Sequence, residues 1–401
     1  MVEAPTLLMV TVSGKDRPGI TAAFSRVLLE RRVEIVDIEQ ASLQDFLALT
    51  FLLDFQNAAP AADGVVKDLL LEASRLNLTL NFRLFSESEV RAHYARKLYV
   101  LTYFGGTAAL AGLSAVLAEE KANIELISSL TQHQARCVEM VVNVSEVENL
   151  GRLKARLMAR GHDLDVDLAF QKMEAHRKSK RLIVFDMDST LVDMEVIDEL
   201  AREAGVHREV SRVTEKAMRG ELDFEEALRQ RVALLKGLST THLTRVRDNM
   251  RLSEGVPEIV ATLKSLGYKL GVVTGGFTFF AEHLKESLGL DYAVANQLEI
   301  KDGVLTGRLL GTIVDAAQKA RALNQIALRE GVLLDQTVAV GDGANDALML
   351  GQAGLGLSYN AKAKLDRVAH SSIGRARLMN ILYLLGVTED DIREAAGQPA
   401  E

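Results

Sequence analysis

The chain has 401 residues, a length that predicts two or three domains rather than one. Hydrophobic residues make up 48% and charged residues 25%, the balance of a folded globular protein and not of a disordered chain. The 47 Lys and Arg against 55 Asp and Glu give a net charge of -8, which removes the broad basic field that nucleic acid or an anionic lipid surface would need. Cys137 stands alone, so an intramolecular disulfide and a thiolate zinc site are excluded and a reducing, cytoplasmic setting is expected. Residues 1–12 are apolar but lack Lys and Arg, and no stretch approaches the roughly 18 apolar residues of a membrane span. Neither export nor a membrane or nucleic-acid partner is expected.

Residues 6–12, Thr-Leu-Leu-Met-Val-Thr-Val, are β-prone and end in the turn Ser13-Gly14-Lys15-Asp16-Arg17-Pro18-Gly19. Over 20–31 the apolar Ile20, Ala23, Phe24, Val27 and Leu28 recur at helical spacing, and 33–41 and 46–55 read as two further strands. Residues 65–76, with Val66, Leu69, Leu70 and Ala73, predict a second helix, and 77–85 alternate as a closing strand. This βαββαβ order returns downstream, with strands at 98–103, 123–131, 138–144 and 164–170 and helices at 110–120 and 150–160. Two copies are too few to stack into an array, so two small ferredoxin-like modules are expected, at 1–88 and 95–171. The first copy resembles an ACT domain in its turn Asp16-Arg17-Pro18-Gly19. The resemblance implies a regulatory module that senses an amino acid, with Asp16, Arg17, Pro18 and Gly19 at the effector site. It also implies side-by-side pairing into a homodimer or larger homo-oligomer. In the second, degenerate copy the aligned turn is Gly105-Gly106-Thr107-Ala108, a departure that sets its ligand binding apart. A pure dimerisation scaffold is the alternative for both copies.

Lys172, His176, Arg177, Lys178 and Lys180 follow with no apolar periodicity and no interleaved aromatic, which predicts a solvated linker at 172–181 rather than a nucleic-acid patch. Leu182-Ile183-Val184-Phe185 is then wholly apolar, as in a central strand covered on both faces, and runs into Asp186-Met187-Asp188-Ser189-Thr190. Leu270-Gly271-Val272-Val273 ends in Thr274-Gly275-Gly276, and Thr337-Val338-Ala339-Val340 ends in Gly341-Asp342-Gly343-Ala344-Asn345-Asp346. Helical patterns at 256–266 and 315–329 alternate with these runs. A Rossmann-like parallel α/β sheet is therefore expected, whose right-handed crossovers bring the three strand ends to one rim, where doubly wound folds hold ligands.

That rim gathers Asp186, Asp188, Thr274, Asp342, Asn345 and Asp346, with Lys319 from the helix before the third run. Carboxylates without His or Cys suit a hard, oxygen-seeking ion such as Mg²⁺. A hydroxyl, two glycines and an ammonium offer a phosphate hydrogen-bond donors, close backbone approach and a point charge. A carboxylate needs no general base to act as a nucleophile, so Asp186 can attack phosphorus and form an aspartyl-phosphate. Asp188 can give a proton to the leaving oxygen and later take one from the attacking water. Each piece also has an ordinary reading: two acids in a surface turn, a Gly-Asp-Gly turn, a solvated helix lysine. Their ordered recurrence at three strand ends favours the chemical one.

Residues 181–387 resemble a phosphatase of the haloacid dehalogenase superfamily, closest to its phosphoserine phosphatase branch. Four motifs occur in order: Phe185-Asp186-Met187-Asp188-Ser189-Thr190, Thr274-Gly275-Gly276, Lys319, and Gly341-Asp342-Gly343-Ala344-Asn345-Asp346. The resemblance implies a phosphatase domain at 182–395 with a helical cap at about 194–254. It makes Asp186 nucleophile and Mg²⁺ ligand, Asp188 acid/base and ligand through its backbone carbonyl, Asp342 a further ligand, and Asp346 a support beside the ion. Lys319, Thr274, Gly275, Gly276 and Asn345 would surround the phosphate. In the cap, Glu195 would meet a substrate ammonium, Arg231 would clamp a carboxylate, and Met218 and Phe224 would form the apolar wall. Thr274 stands where the family often carries Ser, and it keeps the hydroxyl. The implied reaction is hydrolysis of O-phospho-L-serine to L-serine and phosphate, the last step of serine biosynthesis, with L-serine as product and effector. The alternatives are a related phosphatase acting on another small phosphate or on a phosphoprotein, and an amino-acid-binding regulator whose phosphatase half is inert. Lys301-Asp302-Gly303 predicts a hairpin, Gly354-Leu355-Gly356-Leu357 a tight turn beside the last core strand, and 397–401 a frayed tail.

Overall fold

The computed structural model describes residues 7–54, 62–85, 96–131, 137–173, 179–360, 371–373 and 378–395. The expected tail at 397–401 and the middle of the expected linker, with His176, Arg177 and Lys178, lie outside the described residues. The chain divides into two units, Met1–Arg96 and Lys97–Glu401. Among the described residues no helix is long and apolar enough to cross a membrane.

In the first unit β1 (Leu7–Lys15), α1 (Ile20–Glu30), β2 (Glu34–Leu43), β3 (Phe46–Asp54), α2 (Ala62–Arg75) and β4 (Thr79–Phe85) follow one another. The antiparallel sheet is ordered β2-β3-β1-β4. Strand alternation puts Leu8, Val10 and Val12 of β1 and Leu47, Leu49, Phe51 and Leu53 of β3 on one face, where Ile20, Phe24 and Leu28 of α1 and Val65, Leu69 and Ala73 of α2 cover them. β2 is an edge strand and all of its residues are exposed, Ile35 and Ile38 included.

The second unit opens with the repeat: β5 (Leu98–Phe104), α3 (Thr107–Glu119), β6 (Asn123–Ser129), β7 (Cys137–Asn143), α4 (Leu150–Asp163) and β8 (Leu168–Lys172). Its strand order β8-β5-β7-β6 matches that of the first module. α3 starts at Thr107, earlier than the periodicity suggests, because Gly106 is its N-cap as Gly19 is the N-cap of α1. The turn aligned at 105–108 is thus shorter than its counterpart, and Thr107 and Ala108 belong to the helix. α4 also overruns its expected end. The N–H groups of Leu164, Asp165 and Val166 close onto Arg160, His162 and Gly161 carbonyls with Asp165 at φ 50, so the next strand cannot begin until Leu168.

The remaining elements are β9 (Leu182–Phe185), α5 (Val196–Glu203), α6 (His207–Met218), α7 (Phe224–Leu234), α8 (Thr240–Asp248), α9 (Val256–Ser265), β10 (Lys269–Phe277), α10 (Thr278–Leu288), β11 (Tyr292–Lys301), β12 (Val304–Leu310), α11 (Ala316–Glu330), β13 (Thr337–Gly341), α12 (Ala347–Gln352), β14 (Leu355–Tyr359), β15 (Ser371–Ile373), α13 (Asn380–Leu384) and α14 (Glu389–Ala395). Strands β11, β10, β9, β13, β14 and β15 pair in parallel. β11 and β12 form the expected hairpin, with Asp302 at φ 51 and Gly303 at φ 76 in its turn. The hairpin braces the helical insert, since Gly237 N–H donates to Leu305 O and Leu305 N–H to Leu238 O, both at 2.8 Å.

β15 pairs antiparallel with β8, so a single 11-stranded sheet, β12-β11-β10-β9-β13-β14-β15-β8-β5-β7-β6, runs through the whole unit. The repeat's sheet is covered on its second face as well. Phe104 meets Tyr383 edge-on at 5.7 Å, Gln171 Nε2 donates to Leu384 O at 3.2 Å, and Asn380 Nδ2 donates to Asp167 Oδ2 at 2.8 Å. The segment read as a solvated linker is built in at both described ends: Lys172 closes β8, and Lys180 is buried with its ammonium on Asp335 O.

Candidate active site

β9 lies between β10 and β13, and Phe185 stands in register with Val272 on one side and Val340 on the other. The residues that follow in each strand therefore emerge at one level, at the carboxyl ends of the parallel strands. Asp186 comes from just beyond β9, Thr274 from within β10 and Asp342 from just beyond β13.

Lys319 binds this rim from below. Asp315 caps α11 by accepting Gln318 N–H at 2.8 Å, and one turn later the Lys319 ammonium reaches Asp186 Oδ1 at 2.8 Å and Asp346 Oδ1 at 2.7 Å. The lysine and Asp346 are fully buried and Asp186 nearly so. Burial alone would pull the lysine pKa down, but the facing Asp186 and Asp346 carboxylates raise it above the usual lysine value. Asp346 Oδ2 accepts Gly343 N–H at 3.1 Å, and Gly341 leaves room for that carboxylate, which a Cβ would overlap.

Carboxylate oxygens of Asp186, Asp342 and Asp346 lie within 4.8 Å of one another. Burial, then the Asp186 charge, pushes the Asp342 carboxyl up to about 7 and the Asp346 carboxyl up to about 6. The Lys319 ammonium opposes both rises without cancelling them, and a cluster of carboxylate oxygens with no His or Cys donor fits a hard divalent ion. Asp188, two residues from Asp186, is raised well above the usual carboxylate range by burial and by the nearby Glu195 and Asp186, which suits a proton donor. Its Oδ1 accepts Val196 N–H at 3.1 Å, at the first turn of α5.

Gly276 packs closely: a Cβ there would stand 2.6 Å from Met187 Cε and 3.0 Å from Asp188 Oδ2, so the Met187 and Asp188 side chains would have to shift. Phe224, the first residue of α7, reaches the same loop and lies against Gly275. The cap and the strand ends enclose a cavity of about 530 Å³ lined by Asp186, Asp188, Glu195, Met218, Phe224, Arg231, Thr274, Gly275, Gly276, Asp342 and Asn345. Lys319 and Asp346 lie behind Asp186, outside the lining. Glu195 is the N-cap of α5 and accepts a hydrogen bond from Ser189 Oγ at 3.0 Å. Burial raises its carboxyl, as do Asp186 and Asp198, while Arg231 opposes the rise. Arg231 sits on α7, its pKa drawn down by burial and held up by Asp198, Glu195 and Asp188.

Two contributors escape sequence reasoning. Asp198 lines the cavity and is the charge that most favours the Arg231 cation; its three-residue spacing from Glu195 on a helix is the signal that could have found it. Ser189 holds Glu195 from a left-handed backbone position, φ 56, which nothing in the residue type announces. The expected effector residues Asp16–Gly19 belong to the first unit. There Ser42 Oγ donates to Asp16 Oδ2 at 2.9 Å, the Arg17 guanidinium donates to Leu76 O, and Gly19 caps α1 at φ 97 with nothing within 4 Å of where a Cβ would stand.

A parallel sheet with acids at its strand ends, a buried lysine beneath them and a helical cap above defines the class, and residues 183–351 match the haloacid dehalogenase-like hydrolase family. Residues 6–83 match the ACT domain. A phosphoserine phosphatase from Streptomyces coelicolor is 42% identical over 398 residues, covering 98% of this chain and 95% of that protein. One from Mycobacterium tuberculosis is 38% identical over 403 residues, covering 98% and 96%. Among solved structures, a HAD family hydrolase from Salmonella enterica serovar Typhi aligns with TM-score 0.61 at 28% identity, over 72% of this chain and 98% of that one. A probable phosphoserine phosphatase from Vibrio cholerae aligns with TM-score 0.57 at 35% identity, over 75% and 89%. The chain belongs to the phosphoserine phosphatase family, phosphoric monoester hydrolases of the haloacid dehalogenase class, and carries an ACT domain in its first unit.

Proposed function

We propose that the enzyme hydrolyses O-phospho-L-serine through an aspartyl-phosphate on Asp186, with Mg²⁺ held by Asp186, Asp342 and the Asp188 carbonyl and supported by Asp346. The observation that carries the reading is the single cavity in which the Asp186 side chain, braced by Lys319, shares the walls with Glu195 and Arg231. When bound, the cation would offset the charge of the carboxylates and of the phosphoryl oxygens. An Asp186 oxygen attacks phosphorus, the bond from phosphorus to the serine oxygen breaks, and Asp188 gives that oxygen its proton. Asp188 then takes a proton from water, whose oxygen attacks phosphorus and releases phosphate and free Asp186. Lys319 offsets the nucleophile's charge, and Thr274, Gly276 and Asn345 surround the phosphoryl group. Arg231 holds the substrate carboxylate, Glu195 its ammonium, and Met218 and Phe224 close the apolar side. Phosphate release from a panel of phosphorylated metabolites and phosphopeptides, with Mg²⁺ and with chelator, tests this. Phosphoserine is expected to lead by a wide margin and only with Mg²⁺; a preference for phosphopeptides would favour the phosphoprotein alternative.

The raised carboxyls give the metal a pH signature. An unfolded Asp titrates near about 3.9, whereas folded, metal-free Asp342 and Asp346 titrate at about 7 and about 6. The folded state then binds more protons over that window, so the metal-free fold loses stability as pH rises from the unfolded value through the folded ones. Mg²⁺ competes with those protons. Its addition is expected to raise the Tm more at about pH 8 than at about pH 5, by thermal melts with Mg²⁺ and with chelator. An equal shift at both pH values would remove these acids from the metal site.

We also propose that L-serine binds at the turn from Asp16 to Gly19 and changes activity, with the enzyme a cytoplasmic homodimer or larger homo-oligomer. Open space over Gly19 at the start of α1 leaves backbone N–H groups available to a carboxylate. Gly19→Ala fills that space and strains a left-handed position. It is expected to abolish any non-competitive effect of serine while kcat without serine stays at the wild-type value. Purely competitive inhibition, the same in wild type and Gly19→Ala, would reduce the first unit to a scaffold.

A further inference from the structure

β10 and β11 pair in parallel from Gly271↔Tyr292 to Val273↔Val294, then lose register and meet again at Phe277↔Asn296. The irregularity takes Thr274-Gly275-Gly276 out of the ladder, and a buried carbonyl in such a loop must find another partner. The Asn296 side chain, 1% exposed, provides it. Its Nδ2 donates to Gly275 O at 2.8 Å, and its Oδ1 accepts Val314 N–H at 2.8 Å. A carbonyl on one side and an N–H on the other fix which way the amide points. Val314 precedes Asp315, the N-cap of α11, whose carbonyl accepts Lys319 N–H at 2.8 Å. One buried amide thus links the hydroxyl-bearing loop to the start of the lysine-bearing helix.

The peptide plane transmits the effect. Gly275 C=O and Gly276 N–H belong to one trans peptide and point in opposite directions. With the carbonyl held on Asn296, the N–H turns onto Thr274 Oγ1 at 2.9 Å. That oxygen accepts, so its own proton is left to donate into the cavity Thr274 lines. We propose that Asn296 is a positioning residue for phosphoryl transfer: through peptide 275–276 it aims the Thr274 hydroxyl, and through Val314 it keeps Lys319 in step with that loop. The inference rests on the reading that Thr274 meets the phosphoryl group.

The test compares wild type, Asn296→Ala, Asn296→Asp, Thr274→Val and the Asn296→Ala/Thr274→Val pair. Turnover of phosphoserine and of p-nitrophenyl phosphate, inhibition by inorganic phosphate, and Tm are measured with Mg²⁺. Asn296→Ala is expected to lower kcat about ten- to a hundredfold on both substrates, as for a lost transition-state donor, and to weaken phosphate inhibition. In the Thr274→Val background it should add less than about threefold, because the share that runs through the Thr274 hydroxyl is already gone and only the link through Val314 to Lys319 is left to lose. Asn296→Asp carries its own readout. As a carboxylate it faces the Gly275 carbonyl and repels it, but once protonated it donates again, so its activity relative to wild type should recover as pH falls. Losses that are additive with Thr274→Val, a pH-independent Asn296→Asp defect, or a lowered Tm with unchanged kcat would each make Asn296 an ordinary core residue. If wild type itself fails on phosphoserine, the substrate reading falls, and the same comparisons on p-nitrophenyl phosphate still decide the role of Asn296.

Discussion

Asp186→Asn should lower kcat by about a thousandfold or more, the scale at which nucleophile removal operates, while leaving the fold in place. The structure separates the two effects. Asp186 Oδ1 accepts both Met187 N–H and the Lys319 ammonium at 2.8 Å, and an asparagine oxygen can keep both bonds. What disappears is the anionic oxygen that the proposed mechanism needs to attack phosphorus and to offset a bound cation. Lys319 still has Asp346 at 2.7 Å, so no buried ammonium is left alone, and Asp188, Asp342 and Asp346 lose a repulsive neighbour. The Tm in chelator is therefore expected to hold or rise. Activity within tenfold of wild type would take the nucleophile role from Asp186, and a collapse in Tm would mean that its structural part had been underestimated.

Strands covered on both faces were the easiest part of this molecule to read. Leu182–Phe185 and the run Val338, Ala339 and Val340 are apolar without interruption because both faces are buried, and the acids after them stand out against that background. Pairing between β8 and β15 had no such signal. Ser371–Ile373 is a three-residue strand far along the chain from Leu168–Lys172, and so short a non-local pairing leaves no periodicity to find. In β2 the apolar Ile35, Val36 and Ile38 lie at a sheet edge and are at least 41% exposed, so apolar residues in a strand do not by themselves mark the core. The helix expected from Leu110 begins instead at Thr107, because apolar periodicity marks the buried face and not the cap at Gly106.

The site divides in the same way. Asp186, Asp188 and Asp342 at strand ends, and Lys319 on the helix before the third, are legible because the proposed hard-ion and phosphate chemistry needs those groups there. Glu195, Met218, Phe224 and Arg231 lie on ordinary-looking helices of the cap, where spacing says only that the helix is amphipathic; their place in the cavity follows from how α5, α6 and α7 pack. Asn296 looks like a polar interruption in β11, and its meaning depends on a register shift in the neighbouring strand. Residues whose role is to satisfy a displaced backbone group are visible only once that displacement is known.

Arg231→Ala should reduce kcat/KM for phosphoserine far more than for p-nitrophenyl phosphate, because only the former offers a carboxylate to clamp. A desolvated charge-assisted pair lost on one side is worth roughly 2 to 5 kcal/mol, about thirtyfold to several thousandfold. A second effect adds to the first. Arg231 opposes the rise of the Glu195 pKa that burial, Asp186 and Asp198 produce, so its removal pushes Glu195 further toward the neutral acid, which no longer attracts the substrate ammonium. Both ends of the amino acid are thus released by one substitution, whereas p-nitrophenyl phosphate has neither. Arg231→Lys should fall between, restoring the charge for Glu195 but not the planar fork for the carboxylate. Arg231 is not among the charges that act on Asp342 and Asp346, so the residual p-nitrophenyl phosphate activity should keep the proposed Mg²⁺ requirement. Equal losses on the two substrates, with a lowered Tm, would mean instead that Arg231 holds α7 against Asp198 and Glu195 in the cap and does not read the substrate.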